Sequence, residues 1–450
     1  MQKKKSLFDK FIQVLTHQVD AVPNNLPDYE VVIIGDALGG IMTKHLTHFT
    51  HGHKSIMYLN KSKTFDIPFL RPLYEQRRMK KLDYFVLPVL VVSGSVARPA
   101  ESGVTAIDPN ASKITLANGR TINYKTLILE SGLTSAPEQI EGFTDALNDE
   151  TCPVLSTIES SNPRKYYTGF PLFTNGNAFI YIPEFPFAGE VETYNFLMSL
   201  AYFQLGETVG SVSPVHSLTI INANDRFASH SDVLNNFIKD KLSQYSKVDV
   251  LYNTKLVKID KDNRRIVTQD RQGQQRNHDF SYVYVHVPSK TNTLLTSSGI
   301  IADNGKQVPV DPLSLKHTKF DNIYSYGEGA KLDIQPSFLG SIHQSHVVRH
   351  NVLEQIENRR PNAQYKGNTK LPIWTGIDTL SWFVSEYGQD GQIKNDGWAS
   401  KLSYYWMRKK YYKKLMNIYS SKYPGPPALR GYQKFPKGEQ VGPVVAHHHH

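Results

Sequence analysis

Residues Tyr29 to Gly40 read YEVVIIGDALGG. A buried-type strand, Val31–Ile34, runs into a glycine turn, and Ile41–Leu46 starts a helix. Such a turn does anion chemistry. Backbone N–H groups at the helix N-terminus and the helix dipole together hold the pyrophosphate of a dinucleotide. The spacing that does this best is G-x-G-x-x-G, and the three positions here hold Gly35, Ala37 and Gly40, with Gly39 beside the last. Ala37 puts a methyl group where the pyrophosphate approaches the backbone, and Asp36 adds negative charge at the same place. The next strand, Ser55–Leu59, ends on Asn60. An acid there would hold the ribose hydroxyls; Asn60 can bond one hydroxyl but lacks the charge.

Other chemistry is sparse. There is no G-x-x-x-x-G-K-[ST] loop and no H-E-x-x-H. His343, His346 and His350 lie at helical spacing and could share one face. No neighbouring acid supplies a fourth ligand, so no metal is expected. His45, His48, His51 and His53 read as a helix end and loop. Cys152 is the single cysteine, so no internal disulfide forms, and it reads as a packed or loop thiol. Four terminal histidines, His447–His450, specify no folded site.

The elements that position the turn read as α/β. Residues 105–122 form a meander marked by Asp-Pro-Asn and Asn-Gly turns, followed by a buried strand, Thr126–Leu129, ending in Glu130-Ser131-Gly132. A second βαβ begins at Ala178–Ile182, with a helix from about Glu190 to Leu205. Glu190 and Glu192 suit the positive end of that helix and oppose a bound phosphate. Strands at Leu218–Ile221, Val248–Tyr252 and Tyr282–Val287 follow, with a helix around Val233 to Leu242. The order fits two interleaved Rossmann-like domains: 29–150 with 300–365, and 151–299.

Residues 1–28 form a basic segment with apolar residues at helical spacing, a candidate mitochondrial targeting segment or a surface helix. Residues 366–440 carry all four tryptophans, and 401–423 interleave aromatics with lysines. This composition suits a membrane–water interface or a partner surface. The net charge of +10 favours acidic lipid or an acidic partner. Stacking aromatics alone do not make a nucleic-acid site, and none is expected. No run of apolar residues is long enough to cross a membrane as a helix.

In this order the motifs resemble the mitochondrial sulfide:quinone oxidoreductases, two-dinucleotide-domain flavoproteins, over about residues 28–440. The likeness is carried by VVIIGDALGG, by Ile122–Gly132, by Phe185-Pro186-Phe187-Ala188-Gly189, by Tyr324-Ser325-Tyr326-Gly327-Glu328 and by Leu371–Gly376. Residues 401–434, with Gly425–Arg430 near their end, resemble the family's membrane-docking helices. The resemblance implies that both Rossmann-like domains are of the FAD/NAD(P)-binding type, with a flavin site at Gly35, Gly39, Gly40, Asn60, Gly132, Gly327 and Glu328. It also implies two redox cysteines, and the matching positions hold Phe187 and Gly329. Glu328 stands where the family has Asp.

Without a thiolate pair the family's sulfur exchange cannot run, so no residue is expected to be catalytic. The site residues read as vestigial and no cofactor as retained, FAD being the one the fold would take. The expectation is a noncatalytic accessory subunit of a respiratory-chain assembly, peripheral to the mitochondrial inner membrane through its C-terminal region. The alternative is an FAD-dependent enzyme passing electrons from a non-sulfide donor to quinone.

Overall fold

A computed structural model of the chain describes residues 29–35, 37–51, 53–60, 65–66, 85–86, 103–130, 132–157, 176–190, 217–245, 248–376, 378–397, 399–401 and 407. The N-terminal basic segment and nearly all of 401–440 lie outside the described residues, as does the second βαβ helix beyond Glu190.

Two parallel sheets organise the rest. In the first, β1 (Tyr29–Gly35) lies between β2 (Ile56–Asn60) and a long strand, β3 (Thr121–Glu130), both parallel to it. Strand Ile323–Ser325 pairs with the far side of β3. Helix α1 (Ala37–Phe49) follows β1 and packs on the sheet. Val31–Ile34 are buried on both faces, as a parallel strand covered on both sides must be. The sequence suggests a meander followed by a separate strand at Thr126–Leu129, but 121–130 is one strand. Its first half alternates exposed and buried while pairing with the antiparallel meander, and its second half is buried throughout between β1 and 323–325.

The second sheet is parallel, ordered 248–251, 217–222, 177–182, 282–285, 154–156. Helix α2 (Asp232–Ser243) packs its buried Leu234, Ile238 and Leu242 into that sheet's core. Its N-cap is Ser231, whose hydroxyl accepts from the Leu234 N–H at 3.0 Å. An antiparallel three-stranded sheet, 254–279, adds a layer that sequence reading misses. Its alternation is weak because so many of its side chains are charged. Cys152 is fully buried in the core beneath that layer.

A third unit corrects the reading of 366–440 as one docking region. Residues Thr369–Trp374, Leu380–Ser385 and Gln392–Lys394 form an antiparallel sheet wedged between the two cores. Leu371, Ile373 and Phe383 enter the second core, while Trp374, Leu380 and Trp382 enter the first. The period-2 pleat sends alternate residues to opposite cores. Two of the four tryptophans are therefore structural. Asp390 of this unit accepts from the first N–H groups of α2, Asp232 at 2.9 Å and Val233 at 3.1 Å. That carboxylate satisfies orphan donors at the positive end of the helix.

Candidate functional site

The glycine turn is built by register. In the parallel ladder Gly35 sits level with Asn60 on one side and Glu130 on the other. Neighbouring side chains in register point to the same face, and Gly35 has none. Glu130 leans into that space. A Cβ on Gly35 would lie 2.6 Å from Glu130 Oε2. The same oxygen accepts the Gly39 N–H at 3.2 Å, on the first turn of α1. Gly39 also keeps the helix close to the sheet, since a Cβ there would lie 3.0 Å from the Tyr58 ring and 3.3 Å from Ile33. Three of the predicted positions thus meet here, Gly35, Gly39 and the backbone of Asn60. The environment of Gly40 and the Asn60 side chain lie outside the described residues.

Gly327 and Glu328 follow the strand Ile323–Ser325. Gly327, at φ 83°, donates its N–H to Gln344 Oε1 at 2.8 Å. Glu328 reaches across to the second domain and accepts the Gly189 N–H at 3.1 Å. Burial pushes its carboxyl up to about 7; the Gly189 N–H opposes this, and repulsion from Glu190 adds to it. Glu190 is buried, accepting from the Ser229 N–H at 3.0 Å and from Gln335 Nε2 at 2.8 Å. Gln335 in turn accepts the His230 N–H at 3.1 Å. These bonds stitch the two domains around a cavity of about 240 Å³ lined by Phe185, Glu190, His230, Glu328, Ile334 and Gln344, among others.

Phe187 and Gly329 are the two positions that the resemblance assigns to redox cysteines. Phe187 is 1% exposed and stacks on Phe185 at 5.8 Å. Gly329 abuts the backbone of Gly132, at φ 68°. A Cβ on Gly329 would lie 2.8 Å from the Gly132 carbonyl oxygen and 3.1 Å from its Cα. No side chain, cysteine included, enters there without moving backbone. The lack of room at Gly329 has no signal in the sequence.

The histidines of the long helix α3 (Phe338–Ile356) are core residues rather than ligands. His343, His346 and His350 are buried and packed toward α1, where His45 is buried too rather than sitting at an exposed helix end. Arg349 donates to His45 Nδ1 at 3.3 Å and to His350 Nε2 at 3.0 Å, which fixes both imidazoles as acceptors and hence neutral. Among the described residues no group of three His, Cys, Asp or Glu side chains is placed to hold a metal.

No family model matches the chain. It is 23% identical to the mitochondrial sulfide:quinone oxidoreductase of Mus musculus over 359 residues, 78% of this chain and 77% of that protein. Its fold matches the crystal structure of the sulfide:quinone oxidoreductase of Aquifex aeolicus with a TM-score of 0.68 at 15% identity, over 91% and 96% of the two chains. The chain thus has weak but consistent similarity to the mitochondrial sulfide:quinone oxidoreductases and shares the fold of two-dinucleotide-domain flavoproteins. A chain in the structure of the Tetrahymena thermophila mitochondrial ATP synthase is also similar to this chain. The TM-score is 0.81 at 30% identity, over 89% of this chain and 98% of that one.

In this fold a dinucleotide cofactor sits at the glycine turn, where the Glu130 side chain stands here. The first helical N–H groups are where a pyrophosphate sits. Glu130 Oε2 already accepts one of them, that of Gly39, and a second anion at that distance meets like-charge repulsion.

Proposed function

We propose that this sulfide:quinone oxidoreductase-like protein is a noncatalytic structural subunit of a mitochondrial inner-membrane assembly of the ATP synthase kind. The observation that carries the reading is its likeness to a chain of the Tetrahymena thermophila ATP synthase, over nearly the whole of that chain. This is narrower than a respiratory-chain complex at large. The site supports the same reading: Phe187 and Gly329 stand at the two cysteine positions, and Gly329 has no room for a side chain. The domains are instead joined by fixed bonds, Glu328 to Gly189 and Gln335 to Glu190. A rigid two-domain body is what a scaffold needs. Membrane contact through residues 401–434 is part of this proposal, and no described helix is long and apolar enough to cross a bilayer.

The competing reading, a flavoenzyme with a non-sulfide donor, is decided by turnover. Purified protein supplied with FAD, sulfide or other reductants and a short-chain quinone is expected to reduce quinone no faster than buffer. Quinone reduction proportional to protein concentration, with any donor, overturns the noncatalytic reading.

A further inference from the structure

We propose that Glu130 is a resident anion, a side-chain carboxylate standing where a dinucleotide pyrophosphate stands in this fold. It holds the glycine turn in its liganded geometry with no cofactor. Three observations converge. Glu130 ends β3 and is the ladder neighbour of Gly35, so the side chain is delivered to the turn by strand register rather than by a mobile loop. Its Oε2 accepts the Gly39 N–H at 3.2 Å. The space it fills exists because position 35 is glycine, since a Cβ there would meet that oxygen at 2.6 Å.

The chemistry of the exchange is simple. The first turn of α1 presents donors with no intrahelical partner and the positive end of the helix dipole. A pyrophosphate answers both needs when it is bound. A carboxylate answers them permanently, with one unit of charge and one acceptor aimed at the backbone. The fold uses the same device at α2, where Asp390 accepts from the first two N–H groups. Glu130 therefore both blocks the cofactor and replaces its structural contribution. The inference does not depend on which assembly the chain joins.

The test compares the wild-type protein with Glu130→Ala and Glu130→Gln, using inorganic pyrophosphate and FAD as probes. Wild-type melting is expected not to move with millimolar pyrophosphate or FAD. Glu130→Ala is expected to melt lower and to regain about 3 °C or more as pyrophosphate is added, as mass action requires of a newly exposed anion site. Glu130→Gln keeps the shape and loses the charge; it is expected to fold and to gain stability with pyrophosphate where the wild type gains none. If Glu130→Ala fails to fold, the Gln variant decides, and no pyrophosphate response in it overturns the proposal. So does a wild-type protein that binds pyrophosphate or FAD as well as its variants, or a Glu130→Ala protein as stable as the wild type. Co-sedimentation with a mitochondrial assembly is unaffected by either outcome, so failure here leaves the subunit reading standing.

Discussion

Taking the protein from pH 8 to pH 5 will cost about 3 kcal/mol of folding stability, with most of the loss between pH 6.5 and pH 5. The source is α3. Burial, with repulsion from Lys370, pushes the His343 imidazole down to about 3. Burial and Arg349 push His350 down to about 2. His346 is held well below its ordinary 6.5 by burial and by Arg349, His343, His45 and His350 around it. Each folded pKa lies below the unfolded value, so the unfolded chain binds the extra proton. The stability is fully present above about pH 6.5 and is lost as pH falls through that value toward the folded pKa. Each histidine contributes a slope of about 1.4 kcal/mol per pH unit in that window.

Glu328 works in the opposite sense. Its folded pKa, up to about 7, exceeds its ordinary 4.5, so the native state binds the proton and gains stability as pH falls through 7. Against three histidines it returns about one proton, which leaves a net slope near two. Urea unfolding at pH 8, 7, 6 and 5 reads this directly. His343→Gln is expected to remove about a third of the histidine slope, and Glu328→Gln to steepen the acid loss while raising stability at pH 8. A stability that is flat between pH 8 and pH 5 would show that these imidazoles are not buried neutral.

Trp374→Ala will destabilise the protein by about 3–5 kcal/mol. Trp374 is fully buried, on the pleat face of the 369–394 sheet that enters the first core. Removing the ring leaves a cavity that rigid neighbours from several elements cannot close. Those neighbours stand against both cores at once, because Leu371 and Ile373 on the opposite pleat face belong to the second. The loss therefore loosens the joint between domains as well as one core. The urea midpoint will fall without loss of the native circular dichroism at zero urea. If Trp374 were a docking residue, the variant would keep its midpoint and lose only partner or membrane binding.

How much of this was legible follows from the range of each interaction. The opening βα unit was readable because Val31–Ile34, the glycines and the following helix are contiguous. The helix around Val233 to Leu242 is readable for the same reason, and the structure extends it to Asp232–Ser243 and adds Ser231 as its cap. In the sequence Glu130 reads only as the end of a strand. Its contact with Gly39 spans 91 residues and exists only once β1 and β3 pair in register. The closure at Gly329 likewise depends on Gly132, almost 200 residues earlier in the chain, and a glycine in the sequence does not say which backbone approaches it. Composition misled at 366–394, where tryptophan and lysine suggested an interface. Lys370 instead sets its ammonium over the buried Trp382 ring, with Nζ 4.5 Å from the centroid. The histidines at 343, 346 and 350 were visible as a face, but only packing against α1 shows that the face is dry.

The most direct test of the subunit reading is the native mass at which the chain migrates. Mitochondria from the native source, solubilised in digitonin and resolved on a sucrose gradient, would be followed by quantitative mass spectrometry for this chain and for the F1 subunits. The account predicts that the chain peaks in the ATP synthase fractions, in constant ratio to F1 across the peak. A peak at the mass of a single chain, or with an assembly lacking F1, contradicts it.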